Sequence, residues 1–133
     1  MLNQSRDNCI KLSFPVNAAY VSSARLTASS VANRMNFDID EIEDIKTAVS
    51  EACTYIIKSL TNNVRSSFDI TFVMGADSIE INISSQGSIA SVDPKDMSLM
   101  MIKAMVDEFE IKNSEKSCVT INMKKKHKMS IFD

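Results

Sequence analysis

The sequence is short of the residues that usually announce a chemistry. Among 133 residues there are three cysteines, one histidine and two glycines. Cys9, Cys53 and Cys118 are odd in number, far apart and form no CxxC pair, so neither a disulfide framework nor a zinc site is encoded. The lone His127 leaves no Ser-His-Asp or Cys-His set to assemble, and as a metal ligand it would stand alone. No apolar run approaches the length that spans a bilayer, and residues 1–8 are polar and mixed in charge with no apolar stretch behind them. These absences predict a soluble chain in the reducing cytoplasm. The formal net charge of -2 excludes the global field that marks dedicated nucleic-acid binders and polybasic membrane proteins.

What is present fits one globular domain over residues 1–133, since 44% hydrophobic and 24% charged residues leave room for a real core. Charge is uneven, because Lys124, Lys125, Lys126 and Lys128 crowd into five residues. Residues 124–133 therefore read as a basic, solvated tail, with nucleic-acid contact as the alternative. No aromatic stacking platform accompanies those lysines.

Alternation of Ile10, Leu12 and Phe14 predicts a strand that Pro15 ends. Val21, Ala24, Ala28, Val31 and Met35 recur at helical spacing, with Asn17 able to cap the start. A second helix begins near Asp38 or Asp40 and carries Ile42, Ile45, Val49, Ala52, Cys53, Ile56 and Leu60 as one apolar stripe, ending at Asn62 and Asn63. Strands over 68–74 and 79–83 flank the turn residues Gly75, Ala76 and Asp77, and a polar, loop-like segment follows over 84–92. Asp93 and Pro94 have the signature of a helix start, as cap and first helical residue, leading into a third helix over 97–108. That helix is apolar almost all round, which predicts burial on one side and contact with a partner on the other. Strands over 109–112 and 118–123, about a turn at 113–116, complete the order β-α-α-β-β-α-β-β. The order predicts an α+β two-layer sandwich, a mixed, mainly antiparallel sheet covered by three helices.

On the second helix Glu51 and Tyr55 share a face with Asp44, Ala48 and Lys58, opposite the Ile/Val stripe. Periodicity alone reads this as a solvated face. The motif Ile45-Lys46-Thr47-Ala48-Val49-Ser50-Glu51-Ala52-Cys53-Thr54, however, resembles the N box of the anti-sigma factor serine/threonine kinases, members of the GHKL superfamily with the histidine-kinase-like (Bergerat) ATPase fold. In that family the motif reads Val-Ser-Glu-Ala-x-Thr-Asn. Ser23-Ala24-Arg25-Leu26-Thr27 and Ile102-Lys103-Ala104-Met105-Val106-Asp107-Glu108 look like family segments in the right order, so the likeness spans residues 10–123.

The resemblance implies roles position by position. Glu51 takes the place of the general base that activates a substrate serine, a task that suits a carboxylate within hydrogen-bond reach. Four residues on, the family has an asparagine that helps hold magnesium; Tyr55 stands there, bulky and a poor neutral ligand for a hard cation. The first glycine box aligns with Ser85-Gln86-Gly87-Ser88-Ile89, where Gly87 survives and Ser85 replaces the adenine-binding aspartate. Losing that charge-assisted contact costs roughly 1.5 to 3 kcal/mol, about ten to a hundredfold in affinity. The second box aligns with Asp96-Met97-Ser98-Leu99, so Asp96 and Ser98 stand where glycines let backbone amides approach phosphate. Asp93 and Pro94 put a fixed turn where the family has a mobile lid. Arg25 resembles the family's partner-contacting arginine. The expectation is an anti-sigma-like regulator, a homodimer that binds a sigma factor or an anti-anti-sigma (STAS-type) protein, with ATP and Mg binding lost or weak and no metal or cofactor of its own. The alternative is an active serine/threonine kinase that phosphorylates the anti-anti-sigma protein.

Overall fold

The structure is a computed structural model and describes residues 8–60, 67–87, 89, 92–114 and 118–128. Asn62 and Asn63, together with Glu115 and Lys116 of the last turn, lie outside the described residues. Among the described residues five strands form one sheet: β1 (Cys9–Pro15), β2 (Ser67–Met74), β3 (Ser78–Gln86), β4 (Glu108–Ser114) and β5 (Cys118–Lys126). Their order is β1-β2-β3-β5-β4, and every neighbouring pair is antiparallel. The sheet is thus wholly antiparallel, simpler than the mixed sheet expected, because each strand pairs with its neighbour through a hairpin or after a helical excursion that reverses its direction.

Three helices cover one face: α1 (Val21–Arg34), α2 (Ile39–Ser59) and α3 (Met97–Met105). Asn17 caps a short 3-10 turn at Ala18–Tyr20 by accepting from Ala19 N at 2.8 Å, and α1 continues from it. α1 stops at Asn36, whose φ of 65° lets Asn36 N reach Asn33 O and Phe37 N reach Ala32 O, satisfying carbonyls the helix leaves open. α2 then starts at Asp38, not Asp40. Asp38 Oδ1 accepts from Glu41 N at 2.8 Å and Glu41 Oε1 accepts from Asp38 N at 2.9 Å, a reciprocal capping box.

The core lies between the layers. Ile45, Val49, Ala52, Cys53 and Ile56 of α2 meet Phe68, Ile70, Phe72, Ile79, Ile81, Ile83, Val119, Ile121 and Met123 of the sheet, all buried. Each large side chain removed from water here contributes roughly 1.5 to 3 kcal/mol before entropy is charged. The polar face expected along α2 is only partly polar: Ala48 and Tyr55 are buried and Asp44 is half-buried, because α3 packs beside α2 and covers that side.

Among the described residues the lysine run is not wholly a solvated tail. Lys124, Lys125 and Lys126 belong to β5, where period-two alternation turns Lys125 inward after Val119, Ile121 and Met123. Lys125 Nζ donates to Asp44 Oδ2 at 3.2 Å and to Met105 O at 2.8 Å, tying the sheet to α2 and to the end of α3. Beyond β5, Lys128 N donates to the buried Glu41 Oε2 at 2.8 Å, and the His127 ring stacks on Phe37 with centroids 5.0 Å apart. Contacts within the fold hold the chain over 124–128, while the Lys126 and Lys128 side chains stay exposed, and 129–133 of the expected tail lie outside the described residues.

Candidate functional site

Two places matter, and both belong to α2. The first is the shallow groove between α1 and α2, a cavity of about 360 Å³ lined by Arg25, Glu43, Lys46, Thr47, Ser50 and Glu51. Helical spacing puts Glu43, Lys46, Thr47, Ser50 and Glu51 on the edge of α2 that faces α1. Arg25 is exposed, and its Nη1 donates to Ser50 Oγ at 3.4 Å, which lays the guanidinium across the groove. Lys46 Nζ lies 3.0 Å from Glu43 Oε2, so those two charges compensate each other and the half-buried Glu51 is left beside Arg25 as the groove's other charge. The groove is polar, open to solvent and of mixed sign. Such a surface suits a protein partner offering carboxylate and hydroxyl groups to Arg25.

The second place is the junction of α2 with the start of α3. Tyr55, one helical turn beyond Glu51, does not share the groove. It is turned toward α3 and only 4% exposed. Its phenol is held above the ordinary value of 10.0, first by burial, then by the nearby Asp96 carboxylate and, less, by Asp93; a hydrogen bond with Ser59 acts in the opposite direction. Tyr55, Asp96 and Asp93 are therefore brought together, while Glu51 is grouped with Arg25.

α3 begins one turn later than Asp93 and Pro94 signal. Asp93 instead makes a turn, accepting from Lys95 N through Oδ1 at 2.9 Å and from Asp96 N through its carbonyl at 3.0 Å. The helix is capped by Asp96, whose Oδ1 accepts from Ser98 N at 2.8 Å and from Leu99 N at 3.3 Å. Its other end also comes early, at Met105, since Asp107 N pairs with Lys124 O and the chain turns into β4 at Glu108. Leu99 and Ile102 of α3 are buried, whereas Met97 and Met100 are 72% and 52% exposed, so the helix has one solvent-facing apolar side.

Ser85 and Gly87 sit at the end of β3, in what reads from sequence as a loop. Ser85 is buried in the strand, with Oγ 2.7 Å from Ser67 O and 3.1 Å from Gln86 O, so its single proton is committed within the sheet. Gly87 has φ of 107°, a conformation that favours glycine at the turn out of β3. Beyond it Ile89 bridges Leu60, and its carbonyl accepts from Asn113 Nδ2 at 3.1 Å. Ser98 is buried in the first turn of α3. No group of three or more His, Cys, Asp or Glu among the described residues is arranged to hold a metal ion, and no helix there is long and apolar enough to cross a membrane.

Sequence reasoning missed the cap made by Asp96 and the buried ties of Lys125 and Glu41. The signals existed: Asp96 precedes the apolar run, Asp38 and Glu41 have capping-box spacing, and Lys125 has the inward parity of β5.

Known proteins give a consistent comparison. The family model of the histidine kinase-like ATPase domain matches residues 14–125. The serine-protein kinase RsbW of Bacillus cereus (strain Q1) is 33% identical over 80% of this chain and 78% of its own length. RsbW of Bacillus thuringiensis subsp. konkukian matches at 33% over the same shares. A crystal structure of the RsbU and RsbW domains of a Mycobacterium tuberculosis protein superposes over 89% of this chain with a TM-score of 0.70 and 15% identity, a likeness of fold. This chain spans 32% of that longer one.

Proposed function

The chain belongs to the histidine kinase-like ATPase family, alongside the RsbW serine-protein kinases, and from that premise we propose that it acts as an anti-sigma-type regulator that works by holding a protein partner. The partner class is a sigma factor or an anti-anti-sigma protein, and the working form is a homodimer in the cytoplasm. The observation that carries this reading is the exposed Arg25, laid across an open groove beside Glu51, while Tyr55 lies buried at the position where the family's metal ligand stands. An interface arginine of this kind pairs with carboxylates while its stem packs.

Nucleotide chemistry is the part given up in this reading. Magnesium triphosphate needs a hard oxygen ligand near the phosphates and free amides at a helix start. Tyr55 supplies a buried phenol to the first need, Asp96 already takes the amides of Ser98 and Leu99, and Ser85 spends its proton on the sheet. Glu51 keeps the position of a general base, which is the specific observation in favour of a second reading, an active kinase with an unusual ATP site.

Calorimetry with Mg-ATP and Mg-ADP, combined with capture of sigma factors and STAS proteins from the native host, separates the two. Capture of such a partner without phosphate transfer is the expected result. Micromolar nucleotide binding with phosphate transferred to the captured partner would establish the kinase instead, and failure to hold either partner class would remove the regulatory reading. Light scattering at micromolar concentration tests the homodimer, and a monomeric mass sinks it.

A further inference from the structure

We propose that Asp96 and Tyr55 are built-in occupants of the site where the family places its nucleotide phosphates and metal, so that this chain is held permanently in one state and its partner binding does not respond to the adenine nucleotide. The argument begins with α3. A helix start presents unpaired N–H groups and the positive end of the helix dipole, and both attract an anion. Here the chain supplies that anion itself. One oxygen of Asp96 takes the amides of Ser98 and Leu99 at 2.8 and 3.3 Å, the place a phosphate oxygen would need.

The rest of the junction adds to the exclusion. Tyr55 lies close enough to Asp96 and Asp93 for both carboxylates to oppose ionisation of its phenol, so two negative charges and a buried ring occupy a region that would have to admit a polyanion. Before α3, Asp93 forms a turn, and Ile89 has Leu60 as its partner in a backbone bridge and Asn113 in a hydrogen bond. A carboxylate that caps a helix also stabilises it. Removing nucleotide from such a protein therefore has nothing to release.

The partner half of this inference rests on the proposed anti-sigma role; the self-occupied site stands without it. The test takes the full chain with no partner present and measures thermal unfolding and calorimetry with ADP, with and without magnesium. Wild type is expected to show no shift at millimolar ADP. Asp96→Gly combined with Tyr55→Asn, which restores an open helix start and a metal-binding amide, is expected to gain ADP affinity by about tenfold or more over wild type. Asp96→Asn, which keeps a capping oxygen and loses the charge, is expected to melt close to wild type and to gain a smaller part of that affinity, so the idea stays testable if the double variant does not fold. Binding of ADP by wild type as tightly as by the variants overturns the proposal, and so does a folded Asp96→Asn or double variant that gains no affinity. In a second arm, captured partner is challenged with ATP or ADP, and equal retention is expected. Should no partner be captured, the regulatory role fails while the first arm still decides whether the site is self-occupied.

Discussion

Cys53 is buried at the centre of α2, and burial pushes its thiol from the ordinary 9.0 up to about 12. Between those values the unfolded chain has released a proton that the folded one keeps, so stability falls as pH rises, by about 1.4 kcal/mol per pH unit at most. Tyr55 acts in the same direction above its ordinary value of 10.0, because its phenol is also raised. Urea unfolding at a series of pH values from neutral to strongly alkaline is expected to show this decline, and Cys53→Ala to flatten its first part after allowance for the lost packing. A stability that stays level would contradict the burial assigned to both groups. The same burial ranks the thiols: a maleimide should label the exposed Cys9 first, the half-buried Cys118 more slowly, and Cys53 only on unfolding.

At the scale of elements, the last strand is the piece whose role changes most between sequence and structure. A run of lysines is ordinarily solvated, yet β5 turns one of them inward and closes it over Asp44 and Met105 O. Lys125→Ala leaves that carbonyl without its donor and is expected to cost roughly 2 kcal/mol, with Asp44 partly rescued by water because a third of it is exposed. Lys125→Met fills the same space and should cost less, which denaturant melts of the two variants would resolve. Glu41 is the counterpart at the start of α2. Its two oxygens serve Asp38 N and Lys128 N from a fully buried position, so Glu41→Ala should destabilise by roughly 2 to 3 kcal/mol and Glu41→Gln by less. Equal stability of Glu41→Ala and wild type would show that neither amide depends on the carboxylate.

For the whole molecule the division that matters is between the open groove at Arg25 and the buried junction at Tyr55. Arg25 is exposed and touches only Ser50 among the hydrogen bonds described for it, so Arg25→Glu is expected to leave the melting temperature unchanged while weakening partner capture about tenfold or more. A variant that melts early, or one that captures partner as well as wild type, removes Arg25 from the interface. Of the lysine run only Lys125 is buried and withdrawn from any phosphate backbone, while the Lys126 and Lys128 side chains stay exposed.

Sequence periodicity was enough for the architecture, because alternation in β1, β2, β3 and β5 and the stripe on α2 can be satisfied only by burying one sheet face under helices. Local spacing brought the start of α2 down to Asp38 or Asp40 and marked Asn17 as a cap, because caps act over three residues; the structure chose Asp38 and set Asn17 on the 3-10 turn ahead of α1. Tyr55, Ser85, Asp96 and Ser98 stand out in the sequence as residue types that the resembled motif does not have. Which of two aspartates caps α3, where Tyr55 points, and that Lys125 is covered depend on how α3 lies against α2 and on where the chain leaves β5. Those are contacts between residues far apart in sequence, and only the packed tertiary structure decides them.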